Sequence, residues 1–296
     1  MLDNETITGD VAYKHGGDIY SNNVKYDFSV NTNPLGIPET VKIKLTENID
    51  LFEKYPDMEC SKLRMAISEK ENIPKENILC GNGASEIFKL VTNAIMPKKA
   101  LVTAPAFSGY RYALYGTNAK IEYYYLEEEK DFVIDTRILD KIPLDCDIIF
   151  LCTPCNPTGR IISKEVFMKV LAYCEKNSIY LIADECFLGF VPDYELLSMK
   201  SEIYSNYLIV VNAFTKLYAM AGLRLGWCVC GNKWLLARMK QLQTEWSVSV
   251  AAQIAGVSAL EDKDYVVQTR ELVASERTRM TKYFATKGIK VFPSDA

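Results

Sequence analysis

Histidine is almost missing from this sequence: among 296 residues only His15 carries an imidazole. That excludes multi-histidine metal centres and leaves a serine–histidine–carboxylate triad one candidate base, so no metal site is expected. Also lacking is any uninterrupted apolar run long enough to cross a bilayer, and the opening Met1-Leu2-Asp3-Asn4-Glu5 has no apolar signal segment. No membrane association is expected, and a cytoplasmic location is. Blocks of one charge are short, the longest being Glu127-Glu128-Glu129, and 34 basic residues stand against 38 acidic for a formal charge of -4. A nucleic-acid partner is therefore not expected, because a phosphate backbone selects for clustered lysine and arginine. Internal repeats and low-complexity tracts are absent too.

What is present is a normal globular composition, 49% apolar and 24% charged. A chain of this length buries roughly 75% of its unfolded surface and needs no covalent staples. The nine cysteines, an odd number scattered through apolar stretches such as 148–152 and 227–230, read as reduced core thiols. Cys152 and Cys155 have Cys-x-x-Cys spacing, but the intervening Thr-Pro and the lack of a second ligand pair argue against zinc or redox chemistry.

Apolar stretches of strand length at 77–80, 100–104, 120–126, 147–152, 179–183, 207–212 and 225–230 alternate with helix-period segments at 84–95, 107–115, 164–176 (behind Ser163 as N-cap) and 233–246. Such alternation predicts an α/β fold whose mostly parallel sheet is covered by helices on both faces. Residues 1–45 read as an irregular arm, 46–250 as the large α/β domain and 251–296 as the start of a small, incomplete C-terminal domain. There a long helical pattern gives way to a strand beginning at Gly288.

Ligands of such sheets gather at the carboxyl ends of the strands. Three of those ends carry polar residues: Asn156 in Thr153-Pro154-Cys155-Asn156-Pro157-Thr158-Gly159, Asp184 in Asp184-Glu185, and Lys216 in Ala213-Phe214-Thr215-Lys216. Gly81-Asn82-Gly83-Ala84-Ser85 opens a helix behind small residues, which is an anion site, and Arg224 follows eight residues beyond Lys216. Together these could hold an aldehyde cofactor with a phosphate tail and a basic ring nitrogen.

In this order, and with His15-Gly16-Gly17, Asn31, Asn33-Pro34-Leu35-Gly36, Tyr55-Pro56-Asp57 and Trp246-Ser247-Val248, the sequence resembles the fold type I pyridoxal-phosphate (PLP) enzymes of aminotransferase class I/II. Within that family it resembles the threonine-phosphate decarboxylases of cobalamin biosynthesis, with the histidinol-phosphate aminotransferases as near relatives. The resemblance implies the three-layer aspartate-aminotransferase-like fold, PLP as cofactor and a homodimer with shared active sites.

Residue by residue, it assigns Lys216 to the covalent link with the PLP aldehyde and Asp184 to the ring nitrogen. Asn156 falls to the phenolic oxygen and Phe107 to the ring face, while Ala84, Ser85, Thr215 and Arg224 fall to the phosphate. Tyr55 would reach that phosphate from the neighbouring subunit, and His15 and Asn31 would touch substrate. Phe187 stands where many relatives have tyrosine, which favours the decarboxylase branch. The family's C-terminal substrate-binding arginines do not occur in the sequence. The expected function is thus decarboxylation of an amino-acid phosphate such as L-threonine O-3-phosphate, with an aminotransferase and an inactive PLP-binding fragment as alternatives.

Overall fold

The computed structural model describes residues 16–21 and 24–296. By their contacts the residues fall into two units, Met1–Thr32 and Asn33–Ala296. In the first, the described residues form neither helix nor strand. Its shape comes from Ser29, whose hydroxyl accepts the Gly17 N–H at 2.8 Å and donates to Asp27 Oδ1 at 2.5 Å. Gly16 packs so tightly there that an added Cβ would lie 2.2 Å from the Ser29 carbonyl oxygen.

The second unit opens with helices α1 (Glu39–Glu47) and α2 (Ser61–Glu71). Strand β1 (Ile78–Gly81) then leads into α3 (Ala84–Ile95), β2 (Lys99–Ala104) into α4 (Gly109–Leu114), followed by β3 (Lys120–Tyr125) and β4 (Ile148–Cys152). Next come α5 (Lys164–Asn177), β5 (Tyr180–Asp184), the single turn α6 (Tyr194–Leu197), β6 (Leu208–Ala213), the single turn α7 (Phe214–Leu217) and β7 (Gly226–Cys230). Three helices close the order: α8 (Lys233–Leu242), α9 (Val250–Glu261) and α10 (Lys263–Thr286).

The seven strands make one sheet in the order β1-β7-β6-β5-β4-β2-β3, parallel except that β7 runs against both β6 and β1. Successive side chains of a strand face opposite ways, so a strand buried on both faces must be apolar throughout. Strand β4 shows this: Ile148, Phe150 and Cys152 join the core beneath α3, α4 and α8, whereas Ile149 and Leu151 join the core beneath α2, α5 and α9. Helix α5 answers with Val166, Phe167, Val170, Leu171 and Cys174 buried at a period of about 3.6 residues. The Ser163 hydroxyl caps it by accepting the Val166 N–H.

Some expectations need correcting. Residues 39–45, read as part of an irregular arm, belong to helix α1, which starts behind Pro38 and buries Val41. The helix expected to run from 233 to 246 stops at Leu242. The helical pattern past 250 is two helices, divided at Asp262, whose side chain accepts the Tyr265 N–H and caps the second. No strand forms at 288–292: among the described residues no strand forms a ladder with that segment, and a strand exists only through its ladder partner. All nine cysteines are free and eight are buried, Cys186 being half-exposed. No helix among the described residues is long and apolar enough to cross a membrane.

Candidate active site

Register brings the polar strand ends together. Cys152 at the end of β4 lies beside Asp184 at the end of β5, Asp184 lies beside Val211 in β6, and Gly226 at the start of β7 lies between Ala213 and Gly81. The connections after β1, β2, β4, β5 and β6 therefore emerge at one end of the sheet, where Asn156 lies in the loop after β4, Asp184 ends β5 and Lys216 lies on α7 after β6.

Asp184 is buried at 4% exposure. Alternation separates it from Glu185, which turns to the other side of the sheet, where its carboxylate accepts the Ser198 hydroxyl at 2.7 Å and the Met199 N–H at 2.6 Å. Asp184 takes the Cys186 N–H on Oδ1 at 3.0 Å and the Tyr110 hydroxyl on Oδ2 at 2.5 Å. Burial pushes its carboxyl above the usual range, and the Cys186 side chain, the Tyr110 hydroxyl and the Cys186 N–H resist the shift by favouring the anion.

Lys216 is half-buried on α7 and has no hydrogen-bond or ion-pair partner among the described residues. Its Nζ lies 5.9 Å from the centre of the Phe187 ring. Burial holds its amine below the ordinary lysine value, with the Arg224 charge adding in the same direction. A lysine held this way keeps more of its amine neutral, and the neutral amine is the form that attacks a carbonyl.

The anion cradle sits at the start of α3. Gly83 occupies the N-cap position with φ 77 and no side-chain cap. An added Cβ there would meet Arg224 Nη2 at 2.4 Å, and one on Gly226 would meet the Ala84 nitrogen at 2.5 Å. Glycine at both positions therefore lets the guanidinium and the helix N-terminus approach each other. Arg224 itself sits at φ 57, donates Nη1 to the Ala221 carbonyl at 3.2 Å, and pairs with no carboxylate among the described residues. Ser85 and Thr215 leave their hydroxyls without a hydrogen bond among the described residues, and Asn156 leaves its amide so. This donor set suits a phosphate dianion and an adjoining oxygen acceptor.

Phe107 is half-buried before α4, its ring edge-on to Tyr110 at 5.7 Å between centroids. Tyr55 is 79% exposed and stacks at a tilt on Trp246 at 4.5 Å. Asn31 is exposed in the first unit, and His15 lies outside the described residues. Tyr110 escapes a reading of the sequence because its partner is 74 residues away. The one local signal is its place three residues past Phe107, in the helical segment at the end of β2.

A sheet with this strand order and these loops is the architecture of the PLP-dependent transferases. The crystal structure of the histidinol-phosphate aminotransferase from Clostridium acetobutylicum matches it with a TM-score of 0.83 at 31% identity, over 90% of this chain and 79% of that one. Residues 23–296 match the aminotransferase class I and II family, and the chain belongs to that family. It is 34% identical over 273 residues to the threonine-phosphate decarboxylase of Salmonella typhimurium, over 90% of this chain and 75% of that protein. With the histidinol-phosphate aminotransferase of Methanocaldococcus jannaschii it shares 29% identity over 271 residues, 90% of this chain and 71% of that protein. Enzymes of this family depend on PLP.

Proposed function

We propose that this protein is a PLP-dependent decarboxylase of L-threonine O-3-phosphate, releasing carbon dioxide and (R)-1-amino-2-propanol phosphate. The observation that carries this reading is the 34% identity with a threonine-phosphate decarboxylase, against 29% with a histidinol-phosphate aminotransferase over nearly the same length. Phe187 in place of tyrosine agrees with it.

Bound PLP supplies an electron sink for the pair left on the substrate's α carbon when one of its bonds breaks. The other functions fall to side chains of this chain. Lys216 would make the covalent link to the aldehyde and deliver a proton to the α carbon. Asp184 holds the proton on the ring nitrogen, and Asn156 donates to the phenolic oxygen. Phe107 covers the ring face. Arg224, Thr215 and the backbone amides of Ala84 and Ser85 hold the phosphate. In a homodimer, Tyr55 of each copy reaches the phosphate of the other, and its surface position beside an open groove of about 470 Å³ shared with Leu51 and Ile254 supports that placement. His15 and Asn31 would contact the substrate and orient the α-carbon bond that breaks.

The test is to give the PLP-loaded protein L-threonine O-3-phosphate without a keto acid. Carbon dioxide and the amine phosphate are expected. A requirement for 2-oxoglutarate with glutamate as product would overturn the decarboxylase reading. Transamination is the second reading, favoured by the 31% identity to the C. acetobutylicum aminotransferase.

A further inference from the structure

Asp184 can serve a cofactor ring only if its carboxylate is fixed, and a carboxylate at the end of a strand is free to rotate about its Cβ–Cγ bond unless both oxygens are held. One oxygen is held by a backbone group, the Cys186 N–H at 3.0 Å. The other is held by the Tyr110 hydroxyl at 2.5 Å. One donor on each oxygen still leaves each oxygen a lone pair to accept a further hydrogen bond.

Tyr110 is itself fixed. It is fully buried, its ring stacks on Phe150 at 5.0 Å and 26°, and Phe88 meets it edge-on at 5.2 Å and 83°. A third ring, that of Phe107, stands edge-on to it at 5.7 Å and 87°. A buried tyrosine hydroxyl needs a partner, and this one spends its proton on a carboxylate rather than on a nearby carbonyl. The same side chain therefore touches both the group assigned to the ring nitrogen and the ring assigned to the cofactor face.

We infer that Tyr110 is a positioning residue of this site: through its hydroxyl it locks the Asp184 carboxylate toward the cofactor's ring nitrogen, and through its ring it sets the tilt of Phe107. This rests on the PLP reading above. Tyr110 has no direct contact with the cofactor in this scheme. Its hydroxyl acts only through Asp184, so removing it should matter only for a ligand that has a ring nitrogen to bind.

The experiment titrates cofactor-free wild type and Tyr110→Phe with PLP and with the analogue that carries carbon in place of the ring nitrogen. Tyr110→Phe keeps the packing and removes the hydroxyl. PLP binding is expected to weaken about 10-fold, the scale of a hydrogen bond to a charged group, while binding of the analogue stays within about 2-fold of wild type. Equal losses for both ligands would make Tyr110 a packing residue and overturn the inference, as would no loss for PLP. If Tyr110→Phe does not fold, 3-fluorotyrosine placed at position 110 keeps the shape and strengthens the donor. It should then change PLP affinity at least about 3-fold and leave the analogue unchanged, and no change for PLP overturns the inference. Wild type that binds PLP at Lys216 with an indifferent Tyr110→Phe sinks this inference alone. Wild type that binds no PLP sinks the underlying reading with it.

Discussion

At the scale of single residues, the site combines the firmly held Asp184 with Lys216, which has no hydrogen-bond or ion-pair partner among the described residues. A half-buried lysine with no counter-ion costs stability, since burial and the Arg224 charge both disfavour its ammonium. With its folded pKa below that of the unfolded chain, Lys216 binds fewer protons folded than unfolded. The penalty is therefore present at neutral pH and fades as the pH rises toward the ordinary lysine value near 10.5. Lys216→Met should accordingly abolish turnover yet raise the melting temperature of the cofactor-free protein by about 1–3 °C at pH 7, with the gain shrinking above pH 10. Calorimetry across pH checks this, and a lower melting temperature in the variant would contradict it. Asp184→Asn should fold normally and lose at least about 100-fold in kcat, because a neutral amide cannot hold the ring nitrogen's proton. Near-normal turnover would show that another group faces the ring. That Lys216, Asp184 and Asn156 stand at one end of the sheet was legible in the sequence because each lies at or within four residues of the end of an apolar stretch of strand length. Tyr110 was not, because what makes it matter is a contact between helix α4 and the end of strand β5 that only the fold brings together.

At the scale of elements, the cradle depends on glycines that let backbone and guanidinium close up. Gly83→Ala puts a methyl 2.4 Å from Arg224 Nη2 at a positive φ, so it should displace the guanidinium and cost stability by about 1 kcal/mol. Equilibrium titration should show PLP affinity falling by about 10-fold or more, while inorganic phosphate at high concentration competes less well than it does in wild type. An unchanged affinity would remove Arg224 from the phosphate site. Helix α5 tests the scaffold by contrast: Phe167→Ala should cost about 3–5 kcal/mol in denaturant unfolding without changing PLP stoichiometry in the folded fraction. The strands and α3 and α5 were readable to within a residue or two because apolar period and cap chemistry agree there. Helix α2 was not, its mean apolar character being low and only Leu63 and Ile67 buried. The strand anticipated at 288–292 failed for the opposite reason, since its local pattern suits a strand and no other strand forms a ladder with it among the described residues.

At the scale of the whole molecule, the sheet fixes which chemistry is possible and the surface bears on what surrounds it. Placing β7 against its neighbours turns the chain so that Arg224 arrives beside the start of α3, on the same edge as the carboxyl ends of β4, β5 and β6. Periodicity alone predicts a parallel sheet but not that one reversed strand, because direction depends on the short connection through Ala221–Leu223 rather than on any strand's composition. If Tyr55 completes the site of a second copy, Tyr55→Phe should weaken PLP binding while leaving the sedimentation coefficient of the dimer unchanged. A monomer in sedimentation that still binds PLP with full affinity would contradict the shared site. The account as a whole stands on one link, that between Lys216 and PLP. Incubating the protein with PLP, reducing with borohydride, digesting and locating the pyridoxyl group by mass spectrometry tests it directly. The account predicts one equivalent on the peptide containing Lys216 and none when that residue is methionine. A stoichiometric adduct on any other lysine would contradict it.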